Sequence, residues 1–354
     1  MDVVRSRPLR VVVASDVIGP LDSWQAGVAI ARGWSEQAQV AVVPLAGGGP
    51  ELGRALAALL GGEPALAGEG WWLSSGGTLA VGRAAPEDGP GWDPLATTTG
   101  LGAWLAECLD RAPAPSRLIV DLTSVTALDG GAGLLAALGV TAAGRLTAGL
   151  TGLAELGELD LSTVRQRLDG VEVIGVVDPD ETQLGLLGLQ GTVSRRGFDV
   201  RLDPAELLAA EAAMAGWLAA LGVADRPGLG AAGGTAAAIA ALGGRVLTGA
   251  QLCAELAGLA RTLSQVDLVI SGCTSFDVGN RGGQLVRFVA EQAVAAERPC
   301  LVFARESSLS RREMRTFGVE AAHACGPGPL PDVLTATAVR VARGWTALSE
   351  PGVD

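Results

Sequence analysis

The chain contains no lysine, so all 26 of its basic residues are arginines. This excludes the Walker phosphate loop, the strand lysine of protein kinases, Schiff-base chemistry and any lysine general base. Tyrosine is absent too, Asn280 is the only asparagine and His323 the only histidine. One histidine cannot build a zinc site of several imidazoles. The five cysteines, Cys108, Cys253, Cys273, Cys300 and Cys325, are well separated and form no CxxC pair. They read as free thiols of a reducing compartment. No segment reaches the ~20 uninterrupted apolar residues that cross a bilayer, and no arginine-rich run marks a nucleic-acid face. Met1–Arg10 carries charge but no long apolar stretch, so secretion is not indicated. The sequence therefore predicts a cytoplasmic protein with neither a membrane nor a nucleic-acid partner. Its chemistry must come from Asp, Glu, Arg, Ser, Thr, backbone amides and metal.

What is present is a globular chain. Its 354 residues are 49% apolar and 18% charged, enough for about two domains of ~150 residues each. The net charge of −12 repels a polyanion, although a local pocket can still take a small phosphorylated ligand.

Apolar periodicity gives βα units at both ends of the chain. Val11–Ala14 reads as a buried strand ending at Ser15-Asp16, Trp24–Trp34 as a helix, and Val40–Val43 as a second strand. The turn Gly47-Gly48-Gly49 follows, with Pro50 at a helix start. Near Pro64 the texture changes to Gly, Pro, Ser and Trp, with short antiparallel strands around Ser75-Gly76-Gly77. Strands then follow at Leu118–Val120 and Val171–Val177, and Pro204–Leu221 reads as a long amphipathic helix. Near the C-terminus come a helix over 251–263, a strand at Val266–Ile270 with Ser271-Gly272 opening the loop after it, and a final helix, Leu334–Trp345. This predicts an α/β protein: a Rossmann-like parallel-sheet domain formed by both chain ends, with a second α/β domain inserted. The expected segments are 1–65, 66–244 and 245–354.

Asp16, Asp121, Asp178 and Asp277 each stand at or just beyond the carboxyl end of a predicted buried strand, the edge where open α/β sheets bind ligands. Carboxylates there suit Mg²⁺ or acid/base work on a hydroxyl, and equally a turn or a helix cap. The glycine turns Gly47-Gly48-Gly49, Asp129-Gly130-Gly131 and Gly233-Gly234 could present amides to phosphate. Capping is an equally good reading for Asp129. Asp16, Asp129, Asp178 and Asp277 are expected to converge on one interdomain groove.

In order along the chain, these segments resemble the bacterial glycerate kinases that form 2-phosphoglycerate. Val13-Ala14-Ser15-Asp16 is similar to that family's first strand and loop, and Pro44–Gly49 to its glycine turn. Thr98-Thr99-Gly100-Leu101-Gly102 is similar to its Ser-Phe-Gly-Thr-Gly, and Val125–Gly131 to its segment ending in Asp-Gly-Gly. Val177-Asp178-Pro179, Gly230–Gly234 and Leu268–Gly272, with Asp277 beyond, complete a set that runs nearly the full length. The resemblance implies a cleft between a Rossmann-like and an inserted domain, and ATP-dependent phosphorylation of glycerate or a related small hydroxy acid with Mg²⁺. It implies catalytic roles for Asp277 and Asp129, with Asp178 and Asp277 toward the metal. Ser15, Asp16, Gly48, Gly49, Gly100, Gly130, Gly131, Gly233, Gly234 and Arg281 would face substrate or phosphate. A carboxylate substrate would take an arginine: Arg281, Arg305 or Arg311.

The chain departs from the family at charged positions. No base stands at Val17–Gly19, where the first-loop lysine falls. Val125 and Ala127 replace a serine and a threonine, Cys273 and Ser275 a glutamate and an arginine, and Val176 and Pro179 an aspartate and an asparagine. A catalytically inactive homologue acting as a binding or partner protein is therefore the alternative, and a homo-oligomer is compatible with either.

Overall fold

A computed structural model of the chain describes residues 7–68, 70–84, 92–279 and 282–349. The chain opens with strand β1 (Leu9–Ser15), the helix Ser23–Trp34 and β2 (Ala38–Pro44). After the helix Gly49–Leu60 come β3 (Ala65–Ala67), β4 (Gly70–Ser75), β5 (Thr78–Arg83) and β6 (Arg117–Asp121). A short antiparallel pair, β7 (Thr141–Ala142) with β8 (Leu159–Asp160), precedes β9 (Glu172–Val177) and β10 (Arg245–Thr248). The chain then returns with β11 (Leu268–Phe276), β12 (Cys300–Ser307) and β13 (Ala321–Ala324), and ends in the helix Leu330–Ser349.

Two compact units result, one from 1–47 and 250–354, the other from 48–249. The first holds a five-stranded sheet in the order β13-β12-β11-β1-β2, parallel throughout. Val11 pairs with Leu268, so strands from the two ends of the chain lie side by side. The β1 and β11 interiors are continuous apolar runs because helices cover both faces of a parallel sheet. Val11, Val13, Ile270, Leu301 and Phe303 pack with Trp34 and Ala338 into its core.

The second unit holds a six-stranded sheet in the order β10-β9-β6-β5-β4-β3. It is parallel from β10 to β5 and antiparallel at β4 and β3. The units divide at Gly47–Gly48 and Gly249–Ala250 rather than near 65 and 244. Strand β10 pairs with β9 over Arg245–Thr248. The helix Gly49–Leu60 packs on the second sheet, where a Cβ on Gly53 would lie 2.9 Å from the Trp71 ring.

Three local expectations shift. Strand β11 runs on to Phe276 because Ser271–Phe276 stays in register with Val302–Ser307 of β12. The helix expected over 251–263 divides into Gly249–Leu256 and Leu259–Leu263, with Gly258 left-handed between them (φ 63°). The helix Pro204–Leu221 forms from its Asp203 cap to Gly222, but its exposed side is mostly alanine, with Glu206 and Glu211 its two charged residues, so its amphipathic contrast is weak. Ala210, Ala213, Met214, Trp217, Leu218 and Leu221 are buried in the unit's core.

At the start of the second sheet Glu172 on β9 bridges Arg117 on β6 and Arg245, at 2.6 and 2.8 Å. Hydrogen bonds from the two guanidiniums hold the Glu172 carboxyl below the usual range. Such a group stabilises above its unfolded pKa, and its contribution is lost as pH falls through the lowered folded value. The bridge is partly exposed, so Glu172→Gln should cost only about 0.5 kcal/mol at pH 7. Urea titrations should show that difference vanishing near pH 3, where both forms are uncharged; an undiminished difference would contradict the assignment.

Candidate functional site

In the first unit the carboxyl edge of β1 and β11 gathers Ser15, Asp16, Cys273 and Asp277. Adjacent parallel strands set this edge: the Asp16 N–H donates to the Gly272 carbonyl at 3.1 Å. Ser15 is buried and donates to the Asp16 carbonyl at 2.7 Å, and the Val17 N–H donates to Asp16 Oδ1. Asp277, half-buried, accepts from Ser275 Oγ at 2.6 Å and from the Gly279 N–H at 2.8 Å. Burial, with the negative charges of Asp16 and Asp277, pushes the Cys273 thiol up to about 12. It stays protonated, which excludes a thiolate nucleophile. His323, on the edge strand β13, stacks near Phe303 with ring centroids 5.6 Å apart.

The loop after β1 is compact and apolar. Ile18 and Leu21 exchange backbone hydrogen bonds at 3.1 Å, and Ile18 is buried in the first unit's core. The Gly19 N–H donates to Thr274 Oγ1.

In the second unit two buried carboxylates organise the turns. Asp121, at the end of β6, accepts from the Gly49 N–H at 2.6 Å and from Thr123 through N–H and hydroxyl at 3.0 and 2.7 Å. It thereby caps the helix Gly49–Leu60 from a distant strand and places negative charge at its positive end. Gly48 fits here because a Cβ would lie 2.1 Å from Thr123 Oγ1.

Asp129 is fully buried. Its oxygens accept from the N–H groups of Thr98, Gly131 and Gly133 at 2.7, 2.9 and 3.0 Å. They also accept from Thr98 Oγ1 at 2.9 and 3.1 Å, while that hydroxyl accepts from the Leu134 N–H. Desolvation pushes the Asp129 carboxyl up, against the pull of these donors. Trp217 Nε1 donates to the Gly130 carbonyl at 2.9 Å, and the Gly130 N–H to the Gly233 carbonyl at 3.1 Å. Gly233 is left-handed (φ 60°), and a Cβ on it would lie 1.8 Å from the Ala127 carbonyl oxygen.

The expected phosphate cradle is therefore closed at several points. The amides of Gly49, Gly130, Gly131 and Gly234 all donate within the protein. Gly100 is exposed in the first turn of the helix Thr99–Arg111. Asp178 is exposed and accepts from the Asp180 N–H, capping a short turn. Asp16 and Asp277 belong to the first unit, Asp129 and Asp178 to the second. Among the described residues no three acid, histidine or thiol groups gather to hold a metal ion. Arg281 lies outside the described residues.

Sequence reasoning missed Arg196 and Glu181. Arg196 donates to the Thr126 carbonyl and lies 3.8 Å from Glu181; Glu181 accepts from the Ala232 N–H at 2.7 Å. No local pattern announces either contact, since the partners are 70 and 51 positions apart. Val125 and Ala127 are buried, consistent with their apolar character.

If Asp129 acts by holding these turns, Asp129→Ala leaves several buried N–H groups without a partner. Its stability should fall by about 3–5 kcal/mol in urea unfolding. A loss under 1 kcal/mol would show that the carboxylate does not hold the turn.

Residues 80–346 match the glycerate kinase family. An uncharacterized protein of Mycobacterium bovis, Mb2228c, is 30% identical over 342 residues, covering 89% of this chain and 83% of its own. A glycerate kinase of Bacillus cereus is 27% identical over 276 residues, covering 73% of this chain and 72% of its own. The crystal structure of "putative glycerate kinase 2" from Salmonella typhimurium LT2 superposes with a TM-score of 0.74 at 23% identity, covering 98% of this chain and 100% of that one. That likeness shows the shared fold, and the family match spans β6, the Asp129 turn, β9 and the whole return through β11–β13. The chain belongs to the glycerate kinase family.

Proposed function

We propose that the protein transfers the γ-phosphoryl group of ATP, bound as its magnesium salt, to a hydroxyl of glycerate or a related small hydroxy acid. The observation that carries this reading is the Asp16–Asp277 edge. Two carboxylates flank the ends of adjacent central strands, one of them fastened by Ser275 and Gly279. Phosphoryl transfer asks for a positioned hydroxyl and neutralised phosphates rather than a covalent nucleophile. Asp277 would orient the acceptor hydroxyl and take its proton as the new O–P bond forms and ADP leaves. The Mg²⁺ of the nucleotide takes only one or two protein carboxylates beside phosphate and water, and Asp16 is an oxygen donor of the right kind. Asp129 would act as a positioning residue, since its own oxygens are engaged by the turn. Arg305 or Arg311 would pair with the substrate carboxylate.

One observation favours a second reading, a binding or partner protein that kept the fold after losing the chemistry. The loop where the family carries lysine is closed on itself, with Ile18 in the core. Phosphorylation assays with MgATP across short hydroxy acids decide between the two. The kinase reading predicts turnover of glycerate or a close analogue, with kcat/KM lowered by about a hundred-fold or more in Asp277→Ala. No turnover of any acid, together with no calorimetric binding of MgATP, would leave the second reading standing.

A further inference from the structure

Arg196 stands in the helix Thr192–Asp199, and its charge is only partly answered. The side chain is mostly buried, with 24% exposed. A guanidinium carries five N–H donors. Among the described residues it makes one hydrogen bond, to the Thr126 carbonyl. Glu181 Oε1 lies 3.8 Å away, beyond hydrogen-bond reach, and the other Glu181 oxygen is taken by the Ala232 N–H at 2.7 Å. Burial pulls the Arg196 pKa below its ordinary value, the direction in which a buried cation short of partners moves.

The same helix holds further unmatched donors in its first turn. Its cap position is Gly191, which has no side chain to accept from the amides that follow. Val193 and Ser194 are buried, yet among the described residues their N–H groups have no acceptor. Buried amides are nearly always paired, so such a helix end asks for a partner from outside. Thr192 is fully buried too, and its hydroxyl has no partner among the described residues. Thr192 and Arg196 are four positions apart and share one helix face. Long helical side chains lean toward the N-terminus, the positive end of the helix dipole.

We propose that this helix end binds a small oxyanion, a phosphate or carboxylate group, through Arg196, the Thr192 hydroxyl and the Val193 and Ser194 amides. An oxyanion brings only acceptors, which these donors lack, and a guanidinium can meet it with two parallel hydrogen bonds. The nearby acids leave room for it. Glu211 is engaged by the Gly188 N–H and Ser194 Oγ, while Asp178 and Asp180 are exposed, where water and salt screen them. Glu181 is the one carboxylate beside Arg196, and it competes with the anion. The site adjoins the Asp129 turn, since Arg196 holds the Thr126 carbonyl and Gly233 crowds that of Ala127, but it uses none of the amides that Asp129 engages. As a contact for substrate or nucleotide it rests on the phosphotransfer reading; anion binding itself does not.

Melting temperatures of the full chain in inorganic phosphate or in glycerate, to about 20 mM and against sodium chloride of equal ionic strength, give the affinity without turnover. At least one of the two anions should raise the melting temperature; phosphate alone assigns the site to a phosphate group, glycerate alone to a carboxylate. Arg196→Gln should weaken that affinity by about ten-fold or more. Glu181→Gln keeps an acceptor for the Ala232 N–H and removes the competing charge, so it should tighten binding. Thr192→Val should leave the free protein at least as stable, because it removes an unpaired buried hydroxyl, and should weaken binding. No response to either anion beyond that to chloride would overturn the proposal. So would a response unchanged by Arg196→Gln and Thr192→Val, or one weakened by Glu181→Gln, which would mark the pair as a structural tie. Anion binding at Arg196 without turnover of any acid would keep this site and discard the kinase reading; turnover without that binding would do the reverse.

Discussion

A carboxylate with no access to water needs donors at every lone pair, and in the second unit Asp129 dictates where those donors stand. Moving such a charge out of water costs several kcal/mol even after relaxation. Three backbone N–H groups and the Thr98 hydroxyl offset it. To deliver them, the start of the helix Thr99–Arg111 and the turn before Ala132–Ala137 must sit within 3.1 Å of one side chain. Gly130 and Gly131 provide the left-handed backbone the turn needs (φ 61° and 81°), and Trp217 and Gly233 then lock it from outside. Asp121 repeats the device on a smaller scale, tying the Gly48-Gly49 turn to the end of β6. The glycines of these turns thus serve first to build them, and only unengaged amides remain for a ligand.

The first unit is organised differently. Its sheet is parallel throughout, and its polar groups collect at the end of β1 and along the stretch of β11 that runs on past it. Asp16 and Asp277 are held by the amides of their own loops, which leaves them half-buried rather than enclosed. In this unit, unlike the Asp129 turn, acids stand at a surface a small molecule can reach. Burial and the neighbouring acids push the Cys273 thiol beside them up, which keeps it from serving as a thiolate nucleophile. No base stands at Val17–Gly19, where the resemblance would place a lysine, and Ile18 of that stretch is part of the core.

Much of the fold is legible in the sequence because buried parallel strands are short apolar runs with polar residues at their ends. Val11–Ala14, Val171–Val177 and the pairing of both chain ends in one sheet follow from that pattern. The unit boundary is not legible, because a helix such as Gly49–Leu60 declares its amphipathic face but not which sheet it covers. The extension of β11 to Phe276 is hidden for a similar reason: Ser271-Gly272 looks like a loop until β12 supplies its partner. Candidate site residues fare unevenly. Strand-end aspartates announce themselves, but whether such an acid faces solvent, as Asp178 does, or is sealed, as Asp121 is, depends on a donor 72 positions away.

The central claim is that the amides around Asp129 are structural, and that any ligand chemistry uses other groups. Native-state amide hydrogen exchange, followed residue by residue with and without MgATP, tests it most directly. The account predicts that the Thr98, Gly131 and Gly133 amides exchange as slowly as the core strand β6, and that MgATP leaves them unchanged. Fast exchange of these amides in the free protein, with protection appearing when MgATP is added, would contradict it.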